Sequence, residues 1–221
     1  MDGMDKAVVL LSGGMDSAVT LYMARRSSRC SALIFDYGQK ARKEIECAVG
    51  LAETPGIPYH LMKIDLPWKG SSLLEPSEDV PGSADNRTGV IPSTYVPARN
   101  MIFLSYGVSF AEAIGAGSVF IGAHQLDYSN YPDCRGEFFG SFREMVSRGT
   151  RSGVEGRSVR IETPILDMTK KQIVQKGIEL GVPFEHTWSC YKQGDRPCGE
   201  CESCAFRIKA FEECGMTDPL M

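Results

Sequence analysis

The sequence predicts an α/β protein built on a doubly wound parallel sheet, and three observations predict it. Residues 7–11 are an apolar run of strand length that stops abruptly at Ser12-Gly13-Gly14, as a strand buried on both faces does. Further short apolar runs at 32–35, 59–64 and 119–122 alternate with helical stretches, which is the spacing of βαβ units. Four cysteines crowd between Cys190 and Cys204, predicting a small metal-binding segment at the end of the chain. We therefore divide the chain into an α/β domain over 1–186 and a four-cysteine segment over 187–221.

The first strand organises the rest. Gly13 and Gly14 allow a tight turn and a close backbone approach to a ligand, and Asp16 and Ser17 open a helix running to about residue 25. Amide N–H groups and the positive end of a helix dipole then converge on one point, which makes an anion site. No lysine follows Gly14, so this is not the Gly-Lys-Ser/Thr phosphate loop of nucleoside triphosphatases.

The second strand, 32–35, stops at Asp36-Tyr37-Gly38-Gln39, on the carboxyl edge where open α/β sheets bind ligands. Asp36 and Tyr37 can touch a nucleoside held by the first loop, or Asp36 can simply cap a turn. A helix over 41–52 and a third strand at 59–64 follow. Residues 65–97 are rich in Pro, Ser, Gly and acidic residues, and so long a connection reads as a functional flap.

A helix is predicted from Arg99 to about residue 114. An arginine in a first helical turn opposes the dipole, which is explained if Arg99 points at a bound anion and unexplained if it is a surface charge. After the fourth strand, residues 123–135 concentrate His, Asp, Tyr, Asn and Arg, and we read them as a recognition loop. Rings stack on a planar heterocycle, and a carboxylate accepts a pair of hydrogen bonds from a guanine-type edge. Asp127, Tyr131, Asp133 and Arg135 carry that role, while His124 and Cys134 taken singly also fit a core residue and an inert thiol.

A helix at 138–146 leads to a Gly/Ser-rich stretch, 147–160, with Arg148, Arg151, Arg157 and Arg160. Either the arginines close as a lid over phosphates or they are solvated charges. Thr169-Lys170-Lys171-Gln172 has the form of a capping box and opens a helix ending near Gly181. In the tail, Cys190, Cys198, Cys201 and Cys204 can complete a tetrahedral zinc shell with no open position, hence a structural site. The spacing of the last three also occurs in iron–sulfur proteins. Lys192, Arg196 and Arg207 are available to offset the thiolate charge.

The 221 residues suit one medium domain with a small appendage, and a net charge of −4 gives no reason to expect a nucleic-acid-binding face. Acidic residues ahead of a strand-length run are not a secretory leader, and no apolar run approaches the length of a membrane span. We expect a cytoplasmic protein that binds neither membrane nor nucleic acid. Its eight cysteines then read as ligands or thiols rather than disulfides.

Ser12-Gly13-Gly14-Met15-Asp16-Ser17 resembles the S-G-G-x-D-S signature of the PP-loop ATP pyrophosphatases, which split ATP between the α and β phosphates. Nearly the whole chain is similar to the 7-cyano-7-deazaguanine synthase family within that group. The matches are Leu11 to Ser17, Asp36-Tyr37-Gly38-Gln39, Tyr95-Val96-Pro97-Ala98-Arg99-Asn100, Asp127-Tyr128-Ser129, Tyr131-Pro132-Asp133-Cys134-Arg135, and Thr187-Trp188-Ser189-Cys190-Tyr191 joined to the cysteine knuckle.

The resemblance implies an adenine nucleotide alpha hydrolase-like, Rossmann-like fold. It also implies an ATP-dependent carbon–nitrogen ligase converting 7-carboxy-7-deazaguanine and ammonia to the nitrile, with release of AMP and pyrophosphate, in queuosine biosynthesis. Carried over, it puts ATP and Mg²⁺ on Leu10, Leu11, Ser12, Gly13, Gly14, Met15, Asp16, Ser17, Asp36 and Tyr37. Ser12, Asp16, Ser17 and Arg99 are then the catalytic set, with Arg99, Asp127, Tyr131, Asp133 and Arg135 on the base. Zinc goes to the four cysteines, and the family implies a homodimer. Two rivals remain: a PP-loop transfer-RNA thiolase, which needs a persulfide cysteine for which only Cys134 is suitably placed, and a zinc-ribbon adaptor.

Overall fold

The computed structural model describes residues 4–68, 70–82, 90–125 and 131–221. Its centre is β1 (Asp5–Leu10), flanked on one side by β2 (Ser28–Asp36) and β3 (Tyr59–Lys63) and on the other by β4 (Ser118–Ile121) and β5 (Arg160–Glu162). Every pairing is parallel, in the order β3-β2-β1-β4-β5. The expected doubly wound parallel sheet is thus present.

The apolar runs are explained by layers on both faces. Along β1, Val8 and Leu10 enter one core and Val9 the other; Leu33 and Phe35 of β2 oppose Ala32 and Ile34 in the same way. One face is covered by α3 (Arg99–Ile114) and α4 (Gly136–Gly149), through Leu104, Val108, Phe139 and Phe142. The other is covered by α1 (Met15–Ala24), α2 (Lys43–Glu53) and α6 (Lys170–Leu180), through Val19, Leu21, Leu51 and Ile173. The last helix, α7 (Glu202–Glu213), packs Ala210 and Phe211 into this second core, whereas Cys190, Cys201 and Cys204 sit in the first. Among the described residues no helix is long and apolar enough to cross a membrane.

The chain crosses from β3 on one flank to β4 on the other, so the order reverses between β1 and β4. That reversal opens a crevice off their carboxyl ends, where such sheets bind ligands.

Residues 147–160 are not a flexible loop. Helix α4 runs through Gly149, and a further turn, α5 (Arg151–Val154), is capped by the Thr150 hydroxyl accepting from the Gly153 amide at 3.1 Å. Glu144–Arg148 and Arg151–Glu155 ion pairs support the helical turns despite the glycines. Arg157 also pairs with Glu155, and Arg160 with Glu162. Because this segment delivers the chain to the amino end of β5, it lies at the sheet edge opposite the glycine turn, and the lid reading falls.

The capping box holds as expected. The Thr169 hydroxyl accepts from the Gln172 amide at 3.2 Å, and the Gln172 side chain accepts from the Thr169 amide at 2.8 Å.

Candidate active site

The glycine turn leaves β1 into the crevice and starts α1 at Gly14, where no side chain caps the helix. The first amides of α1 therefore face the cavity, as an anion requires. Hydroxyls brace the turn: Ser12 Oγ donates to Ser17 Oγ at 3.0 Å and accepts from the Gly14 amide at 3.2 Å, and Ser17 Oγ donates to the Gly14 carbonyl at 3.0 Å.

Two glycines are required by space. Gly13 has φ +87°, and a Cβ there would sit 2.0 Å from the Glu44 carbonyl oxygen. A Cβ on Gly122, just after β4, would meet the Asp16 carbonyl at 2.9 Å, so the two strand ends of the crevice touch through a residue with no side chain.

Asp16, in the first turn of α1, accepts from Lys170 Nζ at 2.6 Å and lies 3.5 Å from His124 Nε2. Burial works to raise its pKa, but the Lys170 ammonium and then His124 outweigh it and hold the carboxyl below its ordinary value. Its second oxygen, Oδ1, is buried without a hydrogen-bond partner among the described residues. A carboxylate oxygen so placed, beside an anion-binding turn, is a fit donor for a hard cation such as Mg²⁺.

Across the cavity stands Arg99. It is brought there by Ala98, which takes a left-handed conformation at φ 55° and whose backbone amide donates a hydrogen bond to Tyr95 Oη at 3.0 Å. A non-glycine residue held so is strained, and such strain gathers at functional sites. Arg99 Nη1 donates to Tyr37 Oη at 3.0 Å. Tyr131 shares a 2.6 Å hydrogen bond with Thr94 and another with Tyr191, and burial pushes both phenols up.

A second, more apolar cavity adjoins the first, with Leu10, Leu11, Phe35, Tyr37 and Phe103 in its wall. The two share Ser12, Ser17, Glu44, Arg99 and Tyr191.

The four cysteine sulfurs all lie within 4.8 Å of one another, with Cys198 and Cys204 3.9 Å apart. A tetrahedral thiolate shell with bonds of about 2.3 Å puts sulfurs roughly 3.8 Å apart, so the cluster could hold a metal ion. Backbone amides of Lys192 and Cys198 donate to Cys190 Sγ at 3.4 Å, and that of Cys201 to Cys198 Sγ at 3.3 Å, which offsets thiolate charge. Arg207 does not serve that purpose. It is 2% exposed and makes two bonds to Asp218, at 2.7 and 2.9 Å, with others to Thr187 and the Phe184 carbonyl. Lys192 pairs with Glu200.

Of the residues expected at the site, Ser12, Gly14, Met15, Asp16, Ser17, Arg99 and Tyr131 line the larger cavity, and Leu10, Leu11 and Tyr37 the smaller. Gly13 shapes the turn. Asp127 lies outside the described residues. Three others are used differently. Asp36 accepts from the Gly38 amide at 3.3 Å and pairs with Arg42, so it stabilises its own turn. Asp133 is buried, and its carboxylate accepts from the Asn100 amide at 3.0 Å, capping α3 rather than lining the cavity. Arg135 is exposed at the start of α4 and lines neither cavity.

Sequence reasoning missed Lys170, Glu44, Tyr191 and Glu202, all of which line the larger cavity. Lys170 carried the same signal as Arg99, a cation in a first helical turn, and was absorbed into its capping box.

The family model described as "Queuosine biosynthesis protein QueC" matches residues 6–215. The 7-cyano-7-deazaguanine synthase of Trichodesmium erythraeum is 47% identical over 98% of this chain and 100% of its own length. That of Thermosynechococcus vestitus is 47% identical over 97% of this chain and 94% of its own. The one from Desulfitobacterium hafniense is 44% identical over 98% and 93%. Among solved structures, NMN synthetase from Francisella tularensis is a remote likeness, with a TM-score of 0.47 and 15% identity over 97% of this chain and 79% of that one. With a family model spanning almost its full length and relatives this close end to end, the chain belongs to the QueC family of queuosine biosynthesis proteins.

Proposed function

We propose that the protein converts 7-carboxy-7-deazaguanine and ammonia to 7-cyano-7-deazaguanine at the expense of two ATP; its relatives are named for that product. The observation that carries the reading is the cavity itself. An uncapped, glycine-shaped helix start opens onto Lys170, Arg99 and a pair of buried phenols, with an apolar annex alongside.

A carboxylate does not react with ammonia near neutral pH. Its oxygen is therefore adenylated, AMP leaves as the C–N bond forms, and adenylation of the resulting amide oxygen lets a second AMP leave with formation of the nitrile. Such chemistry calls for positioning and charge stabilisation more than for a nucleophile. Ser12, Gly13, Gly14 and Ser17 hold the departing pyrophosphate with Lys170. Asp16 would hold Mg²⁺, which when bound would supply charge neutralisation along the phosphates.

The adenine ring enters the apolar annex beside Phe35, Tyr37 and Phe103, flanked by Leu10 and Leu11. Arg99 steadies phosphate or carboxylate, and Tyr131 with Tyr191 grips the deazaguanine. Asp133 and Asn100 set the position of Arg99, and Asp127 remains our candidate for reading the guanine edge. Structural zinc on Cys190, Cys198, Cys201 and Cys204, a segment boundary near 187, a cytoplasmic homodimer and ligase chemistry complete the proposal.

A thiolase reading is disfavoured by Cys134. Burial pushes its thiol up to about 11, and Asn100 Nδ2 donates to its sulfur at 3.3 Å, which leaves a neutral, occupied thiol rather than a nucleophile. The test is to incubate pure protein with ATP, ammonium and the carboxy base and to analyse products by mass spectrometry. AMP with the nitrile supports the proposal; ADP with inorganic phosphate overturns it.

A further inference from the structure

Nothing in the assignments above takes up a proton, yet forming an amide from ammonia releases one. Three described carboxylates line the larger cavity: Asp16, Glu202 and Glu44. Asp16 is engaged by Lys170 and His124. Glu202 is 5% exposed, follows the metal-site residue Cys201, and is coupled to Tyr131 and Tyr191 on the knuckle side.

Glu44 differs in position. It rises from the first turn of α2 into the wall shared by the polar and apolar cavities, with Ser12, Ser17 and Arg99. If pyrophosphate occupies the glycine turn and the adenine the annex, the α-phosphorus and the acyl group bonded to it fall at this junction.

We infer that the Glu44 carboxylate is the proton acceptor when ammonia attacks the adenylated acid, an inference that rests on the function proposed above. The nitrogen lone pair forms the C–N bond. The bond from the acyl carbon to the adenylyl oxygen breaks, its electron pair leaving on AMP, and one N–H proton passes to Glu44.

The surroundings suit this task. Burial raises the Glu44 carboxyl to about 8, with only the Arg99 guanidinium pulling it down, so it has the basicity of a general base near neutral pH. The ionisable groups that share its walls are Arg99 from α3, Tyr37 after β2, Asp16 from α1, Lys170 from α6, and Glu202 and Arg207 from α7; His124 follows β4, Tyr131 and Cys134 precede α4, and Tyr191 follows Cys190. Gly13 packs on the Glu44 backbone carbonyl, so exchanging the side chain leaves the glycine turn supported.

The test compares full-length Glu44→Gln and Glu44→Asp with the parent in three assays. Exchange of labelled pyrophosphate into ATP with the carboxy base alone reports adenylation without ammonia. Amide formation with ammonium reports the proposed step. Hydroxamate formation with hydroxylamine, whose nitrogen is the more acidic after attack and gives its N–H proton to water more readily than ammonia does, reports a nucleophile that needs less help.

For Glu44→Gln we expect exchange at the parent rate, an ammonia-dependent rate lowered about 100-fold, and recovery with hydroxylamine. Glu44→Asp should keep part of the ammonia rate. A Glu44→Gln enzyme that uses ammonia at the parent rate, or loses exchange and the ammonia step together, or gains nothing from hydroxylamine, overturns the inference. Failure of the parent itself to support exchange removes the adenylation reading, and the inference with it.

Discussion

The backbone amide of Trp188 donates to the carbonyl oxygen of Gly13 at 2.9 Å. Through this bond the segment leading to Cys190 is fastened directly to the glycine turn, and the Trp188 indole, 1% exposed, donates in turn to the Cys190 carbonyl at 2.9 Å. The cysteine cluster and the glycine turn are therefore mechanically one unit.

That linkage predicts that the cluster supports activity without touching substrate. Cys201→Ser, or prolonged chelation of the intact chain, should remove on the order of 4 kcal/mol of stability. The matching fall in Tm is about 8–16 °C. ATP-dependent AMP release should fall alongside, and metal analysis should give zinc. A visible absorption band in the untreated protein would instead identify an iron–sulfur cluster.

Lys170 and Asp16 form the most consequential ion pair of the cavity. Lys170→Met should weaken ATP binding, seen as a higher KM for ATP, by about 10-fold or more for a lost charge-assisted contact. The Asp16 carboxyl, held below its ordinary value chiefly by Lys170 against burial, should titrate higher in the variant. Its stabilising contribution is present above the unfolded carboxylate range and lost as pH falls through the folded value, so acid unfolding of Lys170→Met should begin at higher pH.

Asp133 separates a capping role from a substrate-reading one. Asp133→Ala strips the Asn100 amide of its partner and should lower stability by about 1–3 kcal/mol. The ratio of kcat for the carboxy base to that for related deazapurines should stay unchanged. A selective loss of guanine-type substrates would return Asp133 to the recognition role.

The Arg207–Asp218 pair, each side chain 2% exposed, ties α7 to the end of the chain. Arg207→Met leaves the Asp218 carboxylate buried and uncompensated and should cost about 3–5 kcal/mol. The double variant Arg207→Met with Asp218→Leu should recover much of that, as a thermal-melt comparison would show.

Glu44 gives a stability signature independent of turnover. A carboxyl raised to about 8 in the fold binds its proton more tightly there than in the unfolded chain, so its contribution is full below the unfolded value and disappears as pH rises toward 8. Above pH 8, Glu44→Gln should therefore gain on the parent relative to pH 5. Allowing for solvent screening of a half-buried group, the gain is on the order of 1 kcal/mol. In a melt that is about 2–4 °C.

What residue order determined alone is local. The Ala7-to-Leu11 run could only be satisfied between two layers, Gly13 could only make a turn no other residue fits, and four thiols at knuckle spacing could only converge. These follow from backbone conformation and short-range reach, and the parallel sheet, the glycine turn and the cysteine cluster were legible in them. Other assignments waited for the folded chain, because the partner lies far off in sequence. Asp133 turned toward α3 and Arg207 turned to Asp218, each answering the desolvation of a charge by the nearest donor or ion, whereas Asp36 took the local, turn-capping alternative with Gly38 and Arg42. Lys170 meets Asp16 across 154 positions, and Glu44 reaches the cavity only because α2 packs against Gly13. Which side chain faces the crevice is decided by packing between distant segments, and no local pattern encodes it.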